Sequence, residues 1–462
     1  MHFYGIIAWD STALMVLLFT FMHIIQQVLF IIVMAAAVYW FTKNVRRIRR
    51  NINLGKDEEI KDQPKRRWRN VLLLAFGQKK MFKRPIPAIL HFFVYAGFVI
   101  INIEILEIIM DGLLGKHRLF VPLLGGLYTV LIGCFEILAA AVWVSCAIFL
   151  IRRNILKVRR LNLKELNGWP KSDANIILIT EIVLMSLFLL MNMADYNLQL
   201  LGDPHYISTG AFWVSGALSP LFSGLKESTL IGIERSCWWL HIIGILAFLN
   251  YLPYSKHFHI LLAFPNAYYA RLEPQGEMKN MPAIQKEVLY MMEPDKAPAE
   301  QSANDEQQRF GAKDVIDLSW KNLMDAYACT ECGRCTAVCP AHLTGKLLSP
   351  RKIMMDTRDR LEEVGRNIDA NGGTFVEDGK TLLHDYISIE ELRACTTCNA
   401  CVEACPVSLE PLTIITELRR CLVMEESNAP QEWNGMFNNI ETNMAPWKFS
   451  PDDRDAWMRE DA

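Results

Sequence analysis

The sequence lacks an excess of charge of either sign, because 48 lysines and arginines face 50 aspartates and glutamates. A protein that binds nucleic acid should carry a strong basic excess, so no nucleic-acid partner is expected. Disorder is excluded as well, because 52% of the residues are hydrophobic. A charged fraction of 21% is too high for a wholly intramembrane protein. The averages therefore predict one apolar part and one polar part.

The first apolar segment lacks an early positive charge and a small-residue cleavage site, so we expect a retained membrane helix and not a signal peptide. Residues 1–264 are predicted to form a transmembrane domain, because they contain five apolar segments that reach the roughly 20 residues needed to cross a bilayer. The predicted membrane helices are about 12–41, 86–111, 121–151, 175–201 and 229–252.

Two of the four loops between these segments, and the residues before the first segment, contain few basic residues, only Lys116, Arg118 and Lys226. Residues 42–85, in contrast, contain fifteen lysines and arginines, and residues 152–171 contain seven. Loops rich in lysine and arginine stay in the cytoplasm. We therefore expect a multi-pass protein of the cell (inner) membrane, in contact with the lipid bilayer, whose N-terminus is outside and whose residues after about 255 are cytoplasmic.

The polar part is divided by composition. Residues 265–311 are predicted to be a linker because prolines alternate there with Glu, Gln, Ala and Asp. Residues 312–425 form a predicted domain with two cysteine runs, and 426–462 form a tail that is a candidate for partner docking. Each run has the spacing C-x2-C-x2-C-x3-C-P. This spacing is typical of two-cluster ferredoxins, whereas zinc sites usually take four ligands in separated pairs.

In two-cluster ferredoxins the fourth cysteine of each run binds the cluster of the other run. The sequence therefore predicts two [4Fe–4S] clusters with crossed ligation. The first cluster is assigned to Cys329, Cys332, Cys335 and Cys405. The second is assigned to Cys395, Cys398, Cys401 and Cys339.

Histidines within the predicted membrane helices are the second candidate site, because polar residues at membrane depth are costly and usually functional. His23 and His241 each lie about twelve residues from the outer end of their segment and are expected at one depth. His91 and either His257 or His259 are expected at a second depth, near the cytoplasmic face. Two levels of paired imidazoles suit one or two b-type haems. Five helical turns separate His241 from His259, which favours His259 over His257.

Residues 86–264 resemble the membrane subunit of respiratory nitrate reductase and the cytochrome b subunit of membrane-bound heterodisulfide reductase. The segment LPYSKHFH at 252–259 is similar to that family's ending, in which the last histidine binds the cytoplasmic-side haem. The resemblance implies a second haem ligand ten residues after His91, but that position is Ile101. His23 could take its place, or the outer haem could be missing.

Residues 312–457 resemble the iron–sulfur part of heterodisulfide-reductase-like oxidoreductases, including membrane-anchored forms that serve electron-transfer flavoprotein. The similarity is carried by ACTECGRCT at 328–336, LSPR at 348–351 and ACTTCNAC at 394–401. It implies cysteine-rich catalytic modules with adjacent cysteines, of the CCG type, but the sequence has no Cys-Cys dipeptide. We expect this module on a separate cytoplasmic redox partner, alone or with an electron-transfer flavoprotein.

The predicted fold is all-α, a five-helix transmembrane haem-binding bundle followed by a cytoplasmic, α-helical, two-cluster ferredoxin domain. The predicted function is that of a quinone-linked oxidoreductase subunit, which passes electrons between a cytoplasmic partner, the clusters, b-type haem and the membrane quinone pool. An alternative is the membrane subunit of a disulfide reductase that moves electrons from quinol to a cytoplasmic partner. A third is a membrane anchor and assembly scaffold whose haem pocket is vestigial.

Overall fold

A computed structural model describes residues 11–297, 309–453 and 455–459 of the chain. Parts of the predicted linker and tail, and the first ten residues, lie outside the described residues. The described residues contain helices and two isolated β-bridges but no strand, so the all-α prediction is confirmed for them. They divide into two compact units. The first, here the bundle unit, lies within residues 1–50, 65–268 and 327–333; the second, the cysteine unit, takes 51–64, 269–326 and 334–462.

Five long helices dominate the bundle unit. They are α1 Ser11–Ile52, α2 Pro85–Leu114, α3 Gly126–Leu150, α4 Trp169–Leu201 and α5 Glu227–Tyr251. Each contains a stretch long and apolar enough to cross a membrane, which confirms the prediction of five such helices among the described residues. Shorter helices are Pro64–Asn70, Val121–Leu124, Ser215–Leu218 and α6 His259–Tyr268.

The ends of these helices follow from local residues. Pro85 begins α2 at a position where its missing N–H costs nothing. Gly115, with φ +66°, ends α2, and Gly202, with φ +79°, ends α4. Gly125, with φ +53°, separates Val121–Leu124 from α3, so α3 begins five residues later than its apolar run.

Apolar side chains from all five long helices form one core. Phe30 of α1, Ile101 of α2, Phe135 of α3, Phe188 of α4 and Trp238 of α5 are buried in it. Large apolar side chains on the outward faces are exposed at the same time. Exposed apolar surface that is shared by several helices marks a site of contact with protein or with membrane lipid. The exposed faces therefore suit lipid.

The cysteine unit is built from short helices around one longer helix. Its main helices are α7 Pro282–Met292, α8 Trp320–Tyr327, α9 Pro350–Ala370, α10 Pro411–Arg420 and α11 Gln431–Asn443. Shorter helices are Arg334–Val338, Pro340–Leu343, Ile389–Ala394 and Ala400–Ala404. Ser349 caps α9 and Pro350 is its first residue, as expected of a Ser-Pro start.

Residues 51–64 join this unit although they precede the bundle helices α2 to α5 in the chain. The N–H of Lys56 donates to the carbonyl of Leu318 at 2.8 Å, and the N–H of Trp320 donates to the carbonyl of Lys56 at 3.0 Å. A Cβ atom at Gly55 would lie 2.6 Å from the backbone N of Trp320. Only glycine therefore allows the two backbones to approach this closely.

Arg360 of α9 is fully buried and anchors the cysteine unit electrostatically. Its Nη2 donates to Asp314 at 2.7 Å and to the Lys380 carbonyl at 2.7 Å, while Nη1 donates to Asp378 at 2.6 Å. These hydrogen bonds raise the pKa of Arg360 above its usual value and depress that of Asp378, against the opposing effect of desolvation. The pair therefore stays ionised at neutral pH.

We expect Arg360→Met to destabilise the cysteine unit by about 3–5 kcal/mol, because it leaves the buried Asp314 carboxylate without its cation. Hydrogen exchange of the α9 amides, read by mass spectrometry, should accelerate by roughly two to four orders of magnitude. Lys380→Met is the matched control, since Lys380 forms an exposed pair with Glu363 whose loss costs under about 1 kcal/mol. An acceleration below tenfold in Arg360→Met would contradict the expectation.

Candidate functional site

The two cysteine runs adopt the same unusual backbone. Glu331 and Gly333 in the first run have φ values of 53° and 68°, and Thr397 and Asn399 occupy the same positions in the second with 55° and 60°. Three of these four residues are not glycine, and such residues rarely take this conformation. A loop that alternates in this way turns successive N–H groups toward one concave side, which suits an anionic, thiolate-bound group.

The short helices that follow the two loops, Arg334–Val338 and Ala400–Ala404, pack against each other. Each helix leads directly to the fourth cysteine of its run, Cys339 or Cys405. Burial, together with the neighbouring thiols of Cys395, Cys339 and Cys398, raises the pKa of the Cys401 thiol to about 12. Cys339 thus lies within electrostatic range of the second run, as the crossed assignment requires.

Further contacts surround the thiols of the second run. The N–H of Thr397 donates to Cys395 Sγ at 3.4 Å, and the Arg419 guanidinium, close to Cys395, partly offsets the burial that raises the pKa of that thiol. The N–H of Leu409 donates to Cys405 Sγ at 3.3 Å. Amide donors and a nearby cation stabilise thiolates. The donor set therefore fits a [4Fe–4S] cluster held by Cys339, Cys395, Cys398 and Cys401.

No three His, Cys, Asp or Glu side chains of the described chain are arranged to hold a single metal ion. A four-iron cluster does not need that arrangement, because each thiolate binds a different iron atom. The predicted ligands of the first cluster fall in both units, Cys329 and Cys332 in the bundle unit and Cys335 and Cys405 in the cysteine unit. Their assignment stays a prediction.

Three histidines come together at the end of the bundle unit where α2 begins and α5 ends. The His257 ring lies 5.5 Å from the His259 ring, and His91 is within electrostatic range of His257. Burial lowers the pKa of His257 to about 3 and lowers that of His259. Both rings are therefore neutral at pH 7, the form in which imidazole binds metals.

Hydrogen bonds orient two of these rings. His91 Nδ1 lies 3.0 Å from Gln78 Oε1, and His259 Nδ1 lies 3.0 Å from the carbonyl of Lys256. Both partners are acceptors, so each Nδ1 carries the proton and each Nε2 keeps its lone pair, as in metal-binding histidines. Nε2 of His257 is buried without a hydrogen-bond partner among the described residues. The donor set fits a haem iron, with His91 and His259 as the oriented pair.

The helical-phase argument that separates His257 from His259 assumes a continuous helix, and the structure does not have one. The α5 helix ends at Tyr251, and a short turn follows. Ser255 is extended, with φ −119° and ψ 149°, before α6 begins at His259. Pro253 removes a helical hydrogen bond at this point. The choice of His259 must therefore depend on its oriented Nδ1 rather than on helical phase.

His241 and His23 occupy different levels of the bundle unit. His241 is 1% exposed, and its Nδ1 has no hydrogen-bond partner among the described residues. Between α1 and α5, the Phe30 ring lies 5.8 Å from the Trp238 ring, and Asn250 Nδ2 donates to the Ala37 carbonyl at 3.2 Å. These two contacts fix the level of each α5 residue relative to α1. At 1.5 Å per residue along α1, His23 then lies about 12 Å further out than the level of His241. The expected common depth is not supported.

Lys256 was not among the residues predicted from the sequence, although it lies between the candidate ligands. Its ammonium donates to Glu331 in the first cysteine loop and to the carbonyl of Pro170, the latter at 2.6 Å, and lies 3.7 Å from Asp173. Arg160 also donates to the carbonyl of Cys332, at 2.5 Å. Lys256 and Glu331 are 9% and 3% exposed. In the sequence these cations are indistinguishable from the other basic residues of the loops.

Lys256→Met is expected to loosen the first cysteine loop, because it removes the ammonium group that neutralises the buried Glu331 carboxylate. Such losses cost about 3–5 kcal/mol. Purified protein should lose iron to a chelator at least tenfold faster than wild type. The double variant Lys256→Met, Glu331→Gln should recover most of the retention, and Lys296→Met, in an exposed pair with Glu293, should change nothing. A double variant as labile as the single one would show that the charge pair is unimportant.

Comparison with known proteins matches residues 328–409 to the family described as 4Fe-4S dicluster domain. The chain contains a 4Fe-4S dicluster domain. Its two cysteine runs fall within the matched residues, so the prediction of two iron–sulfur clusters is confirmed. No solved structure gives a significant match to the chain.

Among the curated relatives, two are named as oxidoreductases and one as a ferredoxin. The probable iron-sulfur-binding oxidoreductase FadF of Bacillus subtilis is 29% identical over 95% of this chain and 61% of its own length. The EtfAB:quinone oxidoreductase of Syntrophomonas wolfei is 25% identical over 84% of this chain and 53% of its own. A probable membrane-anchored ferredoxin of Chromohalobacter salexigens is 31% identical over 33% of this chain and 24% of its own.

The chain spans between half and two thirds of the length of the first two relatives. The names of these relatives support a redox role for the chain in general, with iron–sulfur electron transfer. The apolar helices and the membrane-anchored relative support membrane association.

Proposed function

We propose that the chain is a membrane electron-transfer subunit that connects a cytoplasmic redox partner with the quinone pool through two [4Fe–4S] clusters and b-type haem. The observation that carries this proposal is the Lys256 contact. Lys256 accepts His259 Nδ1–H at its carbonyl, and its ammonium binds Glu331 between Cys329 and Cys332. The segment with the haem-ligand candidates and the first cysteine loop are thus joined through one residue.

His91 and His259 would hold the haem near the face that carries the basic loops, and the cysteine runs would hold the clusters. The cofactors supply the redox chemistry, and the protein supplies their placement and surroundings. The excess of Lys and Arg in residues 42–85 and 152–171 supports a cytoplasmic position for this face. An electron-transfer flavoprotein as the partner is supported by the name of the EtfAB:quinone oxidoreductase relative. A chain with CCG-type modules is the other partner that the sequence resemblance implies.

Anaerobically purified protein tests the proposal directly. Reduced protein should show the α band of b-type haem. When a soluble menaquinone analogue is mixed with this protein, both the haem and the clusters should be reoxidised. Quinol added to oxidised protein tests the opposite direction of electron flow. Absence of a haem band, or reduced centres that the quinone analogue does not reoxidise, would overturn the proposal. The dicluster domain would then serve a different acceptor.

A further inference from the structure

Five carboxyl groups are buried together at the end of the bundle unit opposite to His91. They lie where α2 and α4 end and where α3 passes, and none is more than 6% exposed. The five are Glu104, Glu107, Asp111, Glu136 and Asp195. Arg118, 5% exposed, is the buried guanidinium among them. Five carboxylates cannot all ionise against one cation in a low-dielectric bundle, so the hydrogen bonds decide which ones hold a proton.

Two of the three acids on α2 each accept hydrogen bonds from two donors. Glu107 accepts from the Tyr128 hydroxyl at 2.7 Å and from the N–H of Phe120 at 2.8 Å. Asp111 accepts from two backbone N–H groups of the loop that follows α2, at 2.8 and 3.0 Å. The oxygens of both carboxyl groups therefore have hydrogen-bond donors.

Glu136 of α3 and Asp195 of α4 also accept hydrogen bonds at their carboxyl oxygens. Glu136 accepts from Asn192 Nδ2 at 3.2 Å and from the N–H of Val214 at 2.8 Å. Asp195 accepts from Arg118 Nε at 2.6 Å. The Arg118 guanidinium also donates to Asn192 and to the Tyr128 hydroxyl, both at 2.9 Å, and so holds the two ends of the cluster together.

Glu104 differs from the other four. It is 3% exposed, and its Oε2 has no hydrogen-bond partner among the described residues. The charged groups within its range are Arg118, Glu107, Glu136 and Asp111, three acids and one base. A buried carboxylate without a donor is too costly to persist, so Glu104 must be neutral. Glu104 is therefore the carboxyl group of the cluster that can donate a proton.

The other end of the cluster reaches the surface. His117 Nε2 lies 3.4 Å from Asp195 Oδ2, and the His117 ring stacks on the exposed His205 ring at 5.4 Å. Hydrogen-bonded or adjacent groups therefore run from His205 through His117, Asp195, Arg118 and Tyr128 to Glu107, one turn from Glu104. Along α2, Glu104 lies thirteen residues from His91, about 20 Å away.

We propose that Glu104 is the inner end of a proton path that opens at His117 and supplies protons for quinone reduction. This deepens the proposed function and rests on it. The quinone takes two electrons from the redox centres. One quinol O–H bond forms as the Glu104 O–H bond breaks, and a second proton follows after Glu104 is reprotonated from the His117 side. Arg118 is a positioning residue that keeps Asp195 and Tyr128 in place.

Infrared spectroscopy of the whole purified protein tests the path without depending on turnover. The carbonyl band of a protonated carboxyl should be present at neutral pH, absent from Glu104→Gln, and shifted within seconds of transfer to D2O. Asp195→Asn should slow that shift at least tenfold. Glu181→Gln is the matched control, because Glu181 is a half-buried acid of α4 beside Cys146, outside the cluster. It should leave the Glu104 band unchanged.

Persistence of the same band in Glu104→Gln, or exchange at the wild-type rate in Asp195→Asn, would overturn the proton path. Reoxidation of the haem by the quinone analogue is measured on the same samples. A Glu104→Gln protein that is reoxidised at the wild-type rate would overturn the role of Glu104 and leave the proposed function intact. If wild type itself is not reoxidised, the proposed function fails, whatever the infrared result.

Discussion

Replacing Cys339 with Ser should remove the cluster held by Cys395, Cys398 and Cys401 and preserve the other cluster. Cys339 belongs to the first run in sequence, but its thiol raises the pKa of Cys395 and Cys401 in the second, after the larger effect of burial. Iron and sulfide should fall from about eight to about four per chain. Electron transfer to quinone should be lost entirely, because one centre of the chain of carriers is missing.

Electron paramagnetic resonance distinguishes the two clusters in this experiment. Cys405→Ser should give the reciprocal result and remove the other signal. Cys421→Ser is the matched control, because Cys421 is equally buried but belongs to neither run. If Cys339→Ser removes the signal that depends on Cys329, each run binds its own cluster and the crossed assignment is wrong.

Replacing His259 with Ala should abolish the b-type haem near His91, with loss of its α band and of quinone reduction. The reason is geometric: Lys256 accepts the Nδ1 proton of His259, and Gln78 does the same for His91, so both Nε2 atoms are presented as ligands. Loss of an axial ligand changes haem affinity and potential more than any change around it.

His257→Ala is the control for this prediction, since His257 is equally buried and its ring packs on Phe248 at 5.4 Å. It should keep the haem. Gln78→Leu should keep the haem but weaken its binding by about 10–100-fold, the usual effect of losing a partner that orients a metal-binding histidine. A haem that survives His259→Ala and disappears in His257→Ala would reverse the assignment.

The five apolar helices and the dicluster domain could be predicted because they depend on composition and on cysteine spacing. The ends of the helices could not be predicted. The α1 helix continues eleven residues past its apolar run, because Arg and Lys are good helix formers and do not end a helix. The break at Ser255 depends on Asp173, which accepts from the Ser255 hydroxyl at 2.6 Å. An acceptor 82 residues away leaves no local signal.

The candidate site shows the same division between local and distant causes. The cysteines can be recognised in the sequence from their spacing, and the histidines from their apolar surroundings. Gln78, Lys256 and Arg118 carry no such mark, because their roles come from partners that the fold brings to them. The depth of His23 is predicted by counting residues from the start of an apolar run, whereas the level of a residue is set by the tilt and contacts of its helix.

The backbone pairing of Lys56 with Leu318 and Trp320 sets an order of events during synthesis. These partners leave the ribosome about 260 residues after Lys56, which takes roughly 13–52 s at about 5–20 residues per second. Four apolar helices emerge in that interval. The segment 51–64 must therefore wait, unpaired, while the membrane helices are inserted. A fragment that begins at residue 312 would fold without this segment and leave the Leu318 carbonyl and the Trp320 N–H without their Lys56 partners.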